Sequence, residues 1–105
     1  VKRTTRFFKA LSDRTRLRIL WLLFRNGQAS ADEIERVLDI PQDRASSHLK
    51  YLLNAGVIMR GVGTQGPRYR VMQQTDPFRR ATLEGLKCRL CEPDVAAQLE
   101  QKLKE

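Results

Sequence analysis

At 105 residues and 41% hydrophobic content, the chain has material for one compact core and too little for two independent domains. Its 20 lysines and arginines outnumber 12 acidic residues, and the formal charge of +8 favours an anionic partner such as nucleic acid, a condition that a membrane surface would also meet. The longest apolar run, ILWLLF at 19–24, falls far short of the roughly 18 residues a bilayer span needs, and no stretch has the order of a signal peptide, so no membrane partner and a cytoplasmic setting are expected.

In RTTRFFKALSDRTRLRILWLLFRNG the apolar positions Phe7, Phe8, Leu11 and then Leu17, Ile19, Leu20, Leu23 and Phe24 recur at helical spacing on either side of Ser12 and Asp13. The spacing predicts two helices, the second capped by Ser12 or Asp13 and ended at Gly27. Ser30 and Glu33 stand in the S-x-x-E relation of a capping box and open a third helix with Ile34, Val37 and Leu38 one turn apart. Pro41 closes that helix and suits the first turn of the next, so the join is short. The fourth helix places Ala45, Leu49, Leu52 and Leu53 on one side and Asp43, Arg44, Ser46, Ser47 and Lys50 on the other. VIMRGV, GTQG and PRYRVM then read as two short strands about a glycine-rich turn, a wing at about 57–73. A helical pattern resumes at Asp76-Pro77 through Phe78, Leu83, Leu86 and Leu90, breaks at Glu92-Pro93 and continues weakly with Val95, Leu99 and Leu103.

Two helices joined by a tight turn, the second with a polar face, followed by a basic hairpin, are the layout of a winged helix-turn-helix. The fold expected is mainly α, with five to six helices and a two-stranded wing in one domain over 1–105. Gln42, Arg44, Ser46, Ser47 and His48 become candidates for base edges in a major groove. Lys50 and the hairpin arginines Arg60, Arg68 and Arg70 suit phosphates or a minor groove. Competing readings stay open here. A polar helix face is often only solvated, His48 at the edge of the apolar stripe is equally placed for a half-buried contact with a carbonyl, and arginines protect edge strands from pairing.

The runs LSDRTRLRIL, from Leu11 to Leu20, and SSHLKYLLNAGV, from Ser46 to Val57, together with GPRYRV, resemble the ArsR/SmtB family of winged-helix repressors over roughly Phe7 to Val71. The resemblance implies a homodimer through the first and last helices (the latter about 76–105), fourth-helix serines and histidine at the major groove of a double-stranded operator, and repression relieved by a metal or metalloid. Two departures stand beside it. QASADEIERVL has no Cys-x-Cys where many arsenic and cadmium sensors carry one, and His48 is the only histidine, so a zinc or nickel site across the last helices lacks its ligands.

That leaves Cys88 and Cys91, at i and i+3 near the end of the fifth helix and hence on one face. Soft thiolates favour a soft ion, with arsenite the first expectation; a second copy of the pair would supply the missing ligands. Two alternatives remain at this point. The thiols form a redox pair favoured by Lys87 and Arg89, though a helix C-terminus opposes thiolate charge, or they are small packing residues. An enzyme is excluded by the lack of a phosphate-binding glycine loop, a nucleophile elbow or paired carboxylates; a winged-helix protein-interaction module is the remaining rival.

Overall fold

The computed structural model describes residues 1–92, which fall into two compact units, 1–72 and the segment from Gln73 onward. In the first unit the α2 helix, Arg14–Asn26, is the axis of the core: Ile19, Leu20, Trp21, Leu22 and Leu23 are all buried, more than a single stripe. Burial all round is the mark of a helix covered by several neighbours. Around it lie α1 (Lys2–Leu11), which contributes Phe7 and Ala10, α3 (Ala31–Leu38) with Ile34 and Leu38, and α4 (Gln42–Asn54) with Ala45, Leu49 and Leu52. Phe8 is not part of this core; it is 48% exposed, because it follows Phe7 by one position and so faces away from the α1 stripe.

The helix ends follow local chemistry. Asp13 caps α2 by accepting from the Arg16 amide at 3.0 Å, and Gly27 ends it at φ 84°, a region a β-carbon makes costly. Ser30 caps α3 by accepting from the Glu33 amide at 3.2 Å, but Glu33 commits its Oε1 to Arg68. At the other end of α3 the chain turns through Asp39 at φ 54°, a left-handed position that asparagine and aspartate tolerate better than most residues. Asp39, rather than Pro41, stops the helix. Pro41 is extended and serves as the N-cap of α4, its carbonyl accepting from the Ala45 amide at 3.0 Å.

The wing is an antiparallel hairpin of β1 (Ile58–Gly63) and β2 (Gly66–Val71), in a register that pairs Ile58 with Val71 and Gly63 with Gly66. A further bridge, absent from the sequence reading, joins Ala29 to Tyr69 through two backbone hydrogen bonds of 3.0 and 2.8 Å. It stitches the α2–α3 connection to the wing. In the second unit, α5 (Pro77–Leu90) starts with Asp76 accepting from the Phe78 amide and Pro77 in its first turn, and it ends at Cys91. Five helices and the two-stranded hairpin thus answer the expected fold class among the described residues. The weak pattern at Val95, Leu99 and Leu103, and with it part of the expected C-terminal helices, lies outside them.

Candidate nucleic-acid interface and the thiol pair

The α3–α4 connection is Asp39 to Pro41, so the two helices meet across a three-residue corner and α4 presents its outer face freely. Burial of Ala45, Leu49 and Leu52 fixes its rotation, which leaves Gln42, Arg44, Ser46, Ser47 and Lys50 exposed together. Hydroxyls on a helix commonly bond back to the preceding turn. Thr5 does so to Val1 O at 2.9 Å and Thr82 to Phe78 O at 2.8 Å, whereas Ser46 and Ser47 have no side-chain partner among the described residues. Their donors and acceptors are available to an external ligand.

His48 is different. Its side chain is only 19% exposed, and Nδ1 lies 3.3 Å from Arg16 Nη1 and 3.8 Å from Asp13 Oδ2. Arginine can only donate, so a hydrogen bond in this contact needs Nδ1 as its acceptor. Sequence reasoning offered a base edge or a backbone carbonyl as partner; the structure supplies a guanidinium from α2. Asp13 belongs to the same group. Partial burial raises its carboxyl, but the Arg16 amide, the Arg16 guanidinium, the His48 ring and the Thr15 amide outweigh that and hold it below its ordinary value.

The register separates the three wing arginines. Directly opposed residues share a face, so Arg70 with Met59 and Arg68 with Gly61 lie on one side, and Arg60 with Tyr69 on the other. Arg68 is braced, donating from Nη1 to Glu33 Oε1 at 2.9 Å and from Nη2 to Gln65 Oε1 at 3.0 Å. Arg60 and Arg70 are exposed and have no side-chain partner among the described residues. An open depression at the wing is lined by Gly61, Gly63, Gln28, Gln65, Arg68 and Arg70 among others. A β-carbon on either glycine would meet nothing within 4 Å. The chain's own packing therefore does not require these glycines.

In α5 both cysteines are free and exposed, so neither fills a core as the packing alternative required. Cys88 lies in the helix and Cys91 at its C-cap, beside Lys87 and Arg89. Among the described residues no group of three or more His, Cys, Asp or Glu side chains gathers to hold an ion. The pair supplies two sulfurs, short of the three or four that a trigonal or tetrahedral thiophilic site takes.

A short-cornered helix pair, a polar second helix and a hairpin wing define the winged-helix regulators. Residues 11–60 match a family described as a helix-turn-helix domain. The chain is 33% identical over 79 residues to the arsenic resistance transcriptional regulator ArsR1 of Pseudomonas putida, covering 75% of this chain and 62% of that one. It is 38% identical over 68 residues to a probable mercury resistance operon repressor of Streptomyces lividans, covering 65% and 54%. Among solved structures, HlyU from Vibrio cholerae superposes with a TM-score of 0.70 at 25% identity, over 87% of this chain and 95% of that one. The chain thus has the winged-helix fold and is similar to ArsR-type resistance regulators. It spans between 54% and 62% of the length of the two curated relatives, and none of its described helices is long and apolar enough to cross a membrane.

Proposed function

We propose that the chain is a DNA-binding repressor acting as a homodimer in the cytoplasm, with 1–105 forming one winged-helix module. The observation that carries this reading is the exposed α4 face of Gln42, Arg44, Ser46, Ser47 and Lys50 on a chain of formal charge +8. Gln42, Arg44, Ser46 and Ser47 have the donors and acceptors for base edges, and His48 adds its second ring nitrogen, Nε2. Lys50, Arg60 and Arg70 serve phosphates, and the depression lined by Gly61 and Gly63 admits a sugar-phosphate backbone closely. Arg68 enters this surface as a braced group that sets the wing against α3.

Release is assigned to a thiophilic metalloid or metal, arsenite first, held by Cys88 and Cys91 with further sulfur from a second copy. Both relatives named above are regulators of resistance to thiophilic elements, which supports that choice of ligand class. An inducer acts only through its unequal affinity for two arrangements of the dimer, so the bound state must favour a spacing of the two α4 helices that no longer matches successive major grooves. Fluorescence anisotropy on the duplex upstream of the chain's own gene, titrated with arsenite and then cadmium or zinc under reducing conditions, tests both parts. Tight binding that falls steeply with salt and is reversed by one of these ions is expected. No affinity for any duplex would reassign the fold to protein interaction, and tight binding indifferent to every ion would remove the inducer.

A further inference from the structure

In the run DRTRLRIL, Arg16 has no part in the reading above. Arg16 is on α2, yet it spends its guanidinium on the two helices either side. Nε donates to Ala10 O at 3.0 Å and Nη2 to Lys9 O at 2.9 Å, both carbonyls in the last turn of α1; Lys9 O also accepts from the amide and hydroxyl of the C-cap Ser12, at 3.2 and 2.9 Å. Nη1 lies 3.3 Å from His48 Nδ1, and the guanidinium carbon sits 4.2 Å from the centroid of the Tyr51 ring. His48 and Tyr51 are three apart on α4 and so are neighbours along one edge of that helix. Asp13, the α2 cap, completes the group from beneath.

We propose that Arg16 is the positioning residue of the recognition helix: it splints the C-terminal end of α1 to the edge of α4 and so sets the angle at which α4 meets a duplex. The inference rests on the reading of α4 as the helix that enters the major groove. Its physical basis is the fork of the guanidinium, a rigid planar group that binds two α1 carbonyls along one edge, reaches an imidazole with another nitrogen and stacks on a phenol ring. Lysine has the charge without the fork or the flat face. Core packing through Ala45, Leu49 and Leu52 fixes how deeply α4 is seated and which face it turns inward, but a stripe of aliphatic contacts is non-directional and leaves the tilt of the helix weakly defined. The directional contacts of this group supply what packing lacks, and they make α1 and α4 move together.

The test uses the full chain and a duplex that wild-type protein enriches from a randomised pool. Arg16→Lys and Arg16→Met are compared with wild type in helical circular dichroism, affinity, salt dependence and base preference at each position. Folded variants are expected to lose roughly tenfold in affinity, with an unchanged salt slope and a flattened base preference, because the same phosphates are neutralised by a helix held less firmly. Tyr51→Leu, which removes only the stacking face, is expected to show the same pattern more weakly. Unchanged affinity and preference in the folded variants overturn the proposal. So does a slope smaller by about one phosphate, about 0.9, which makes Arg16 itself a phosphate contact. If neither Arg16 variant folds, Tyr51→Leu decides by the same two criteria. A wild-type chain that enriches no duplex fails at the reading of α4 instead, a result distinct from all of these.

Discussion

The unit of residues 1–72 carries its candidate contacts on a cross-braced frame, while α5 carries two exposed thiols to which the described residues add no third ligand. In the first unit the wing is tied to α3 by Arg68 and Glu33 and to the α2–α3 connection by the Ala29–Tyr69 bridge, and α4 is tied to α1 by Arg16. The groups left free there, Ser46, Ser47, Lys50, Arg60 and Arg70, are the ones assigned to a duplex in the proposal above. The frame is complete within one chain. For α5 the pair is short by at least one sulfur of a trigonal thiophilic site, so the sensor proposed above draws the rest from a second molecule. A recognition surface can be built on a monomer and duplicated by symmetry; a sensor at a dimer interface cannot be finished until the copies meet.

The sharpest way to break the frame is to remove its packing. Leu52 is 0% exposed beneath α4, and Leu52→Ala is expected to cost about 2–5 kcal/mol, read as a lowered urea midpoint with loss of duplex binding. A loss near zero would mean that α4 does not depend on this contact. Next in size is the α2 cap. Asp13→Ala is expected to cost about 1 kcal/mol at neutral pH. Because the folded chain holds the Asp13 carboxyl below its unfolded value, its contribution is full above the unfolded value and is lost as pH falls through the folded one. The gap between wild type and Asp13→Ala should therefore narrow in urea titrations carried down from pH 7 into the acid range, whereas Asp13→Asn, an equally good cap, isolates the charge from the hydrogen bond. A gap that is constant with pH would remove the charge from the account.

Much of this frame was legible in the sequence, and the exceptions share a cause. The Ser30 cap, the Gly27 stop and the core side of α4 depend on residues within a turn or two of one another, where periodicity and capping chemistry speak directly. Leu53 is only half-buried, because it lies at the margin of the stripe set by Ala45, Leu49 and Leu52. The left-handed turn at Asp39, the Ala29–Tyr69 bridge and the inward use of Arg16 escaped, since each is settled by a partner elsewhere. Arg16 and Arg70 are the same residue type in equally basic surroundings. Only the fold tells that one faces two carbonyls and an imidazole while the other faces solvent. For the same reason Arg60, Arg68 and Arg70 formed one group in the sequence and three situations in the structure.

That division makes a smaller prediction. Arg70→Ala should leave stability within about 0.5 kcal/mol of wild type and weaken every duplex alike, lowering the salt slope by about 0.9. Arg68→Ala should do the reverse, loosening the wing through loss of its bond to Glu33 and changing the slope less. Equal effects of the two on slope and stability would erase the distinction between a braced arginine and a free one.

The smallest expected effect on the folded chain belongs to the thiols, and it bears most on the contrast between the two units. Cys88 and Cys91 are exposed and contribute nothing to a core, so changing both to serine should leave the urea midpoint and duplex affinity where they were, within about 0.5 kcal/mol. The same variant should lose release by arsenite altogether. If two chains complete the site, the single changes Cys88→Ser and Cys91→Ser need not be additive, because each removes two sulfurs from a dimer rather than one. A mixed dimer of wild-type and doubly substituted chains then gives the decisive reading. Release of the mixed dimer at wild-type arsenite concentrations would show that one chain's pair suffices, and α5 would be as self-contained as the frame of residues 1–72. Release only at much higher concentrations would place the missing sulfur on the second chain.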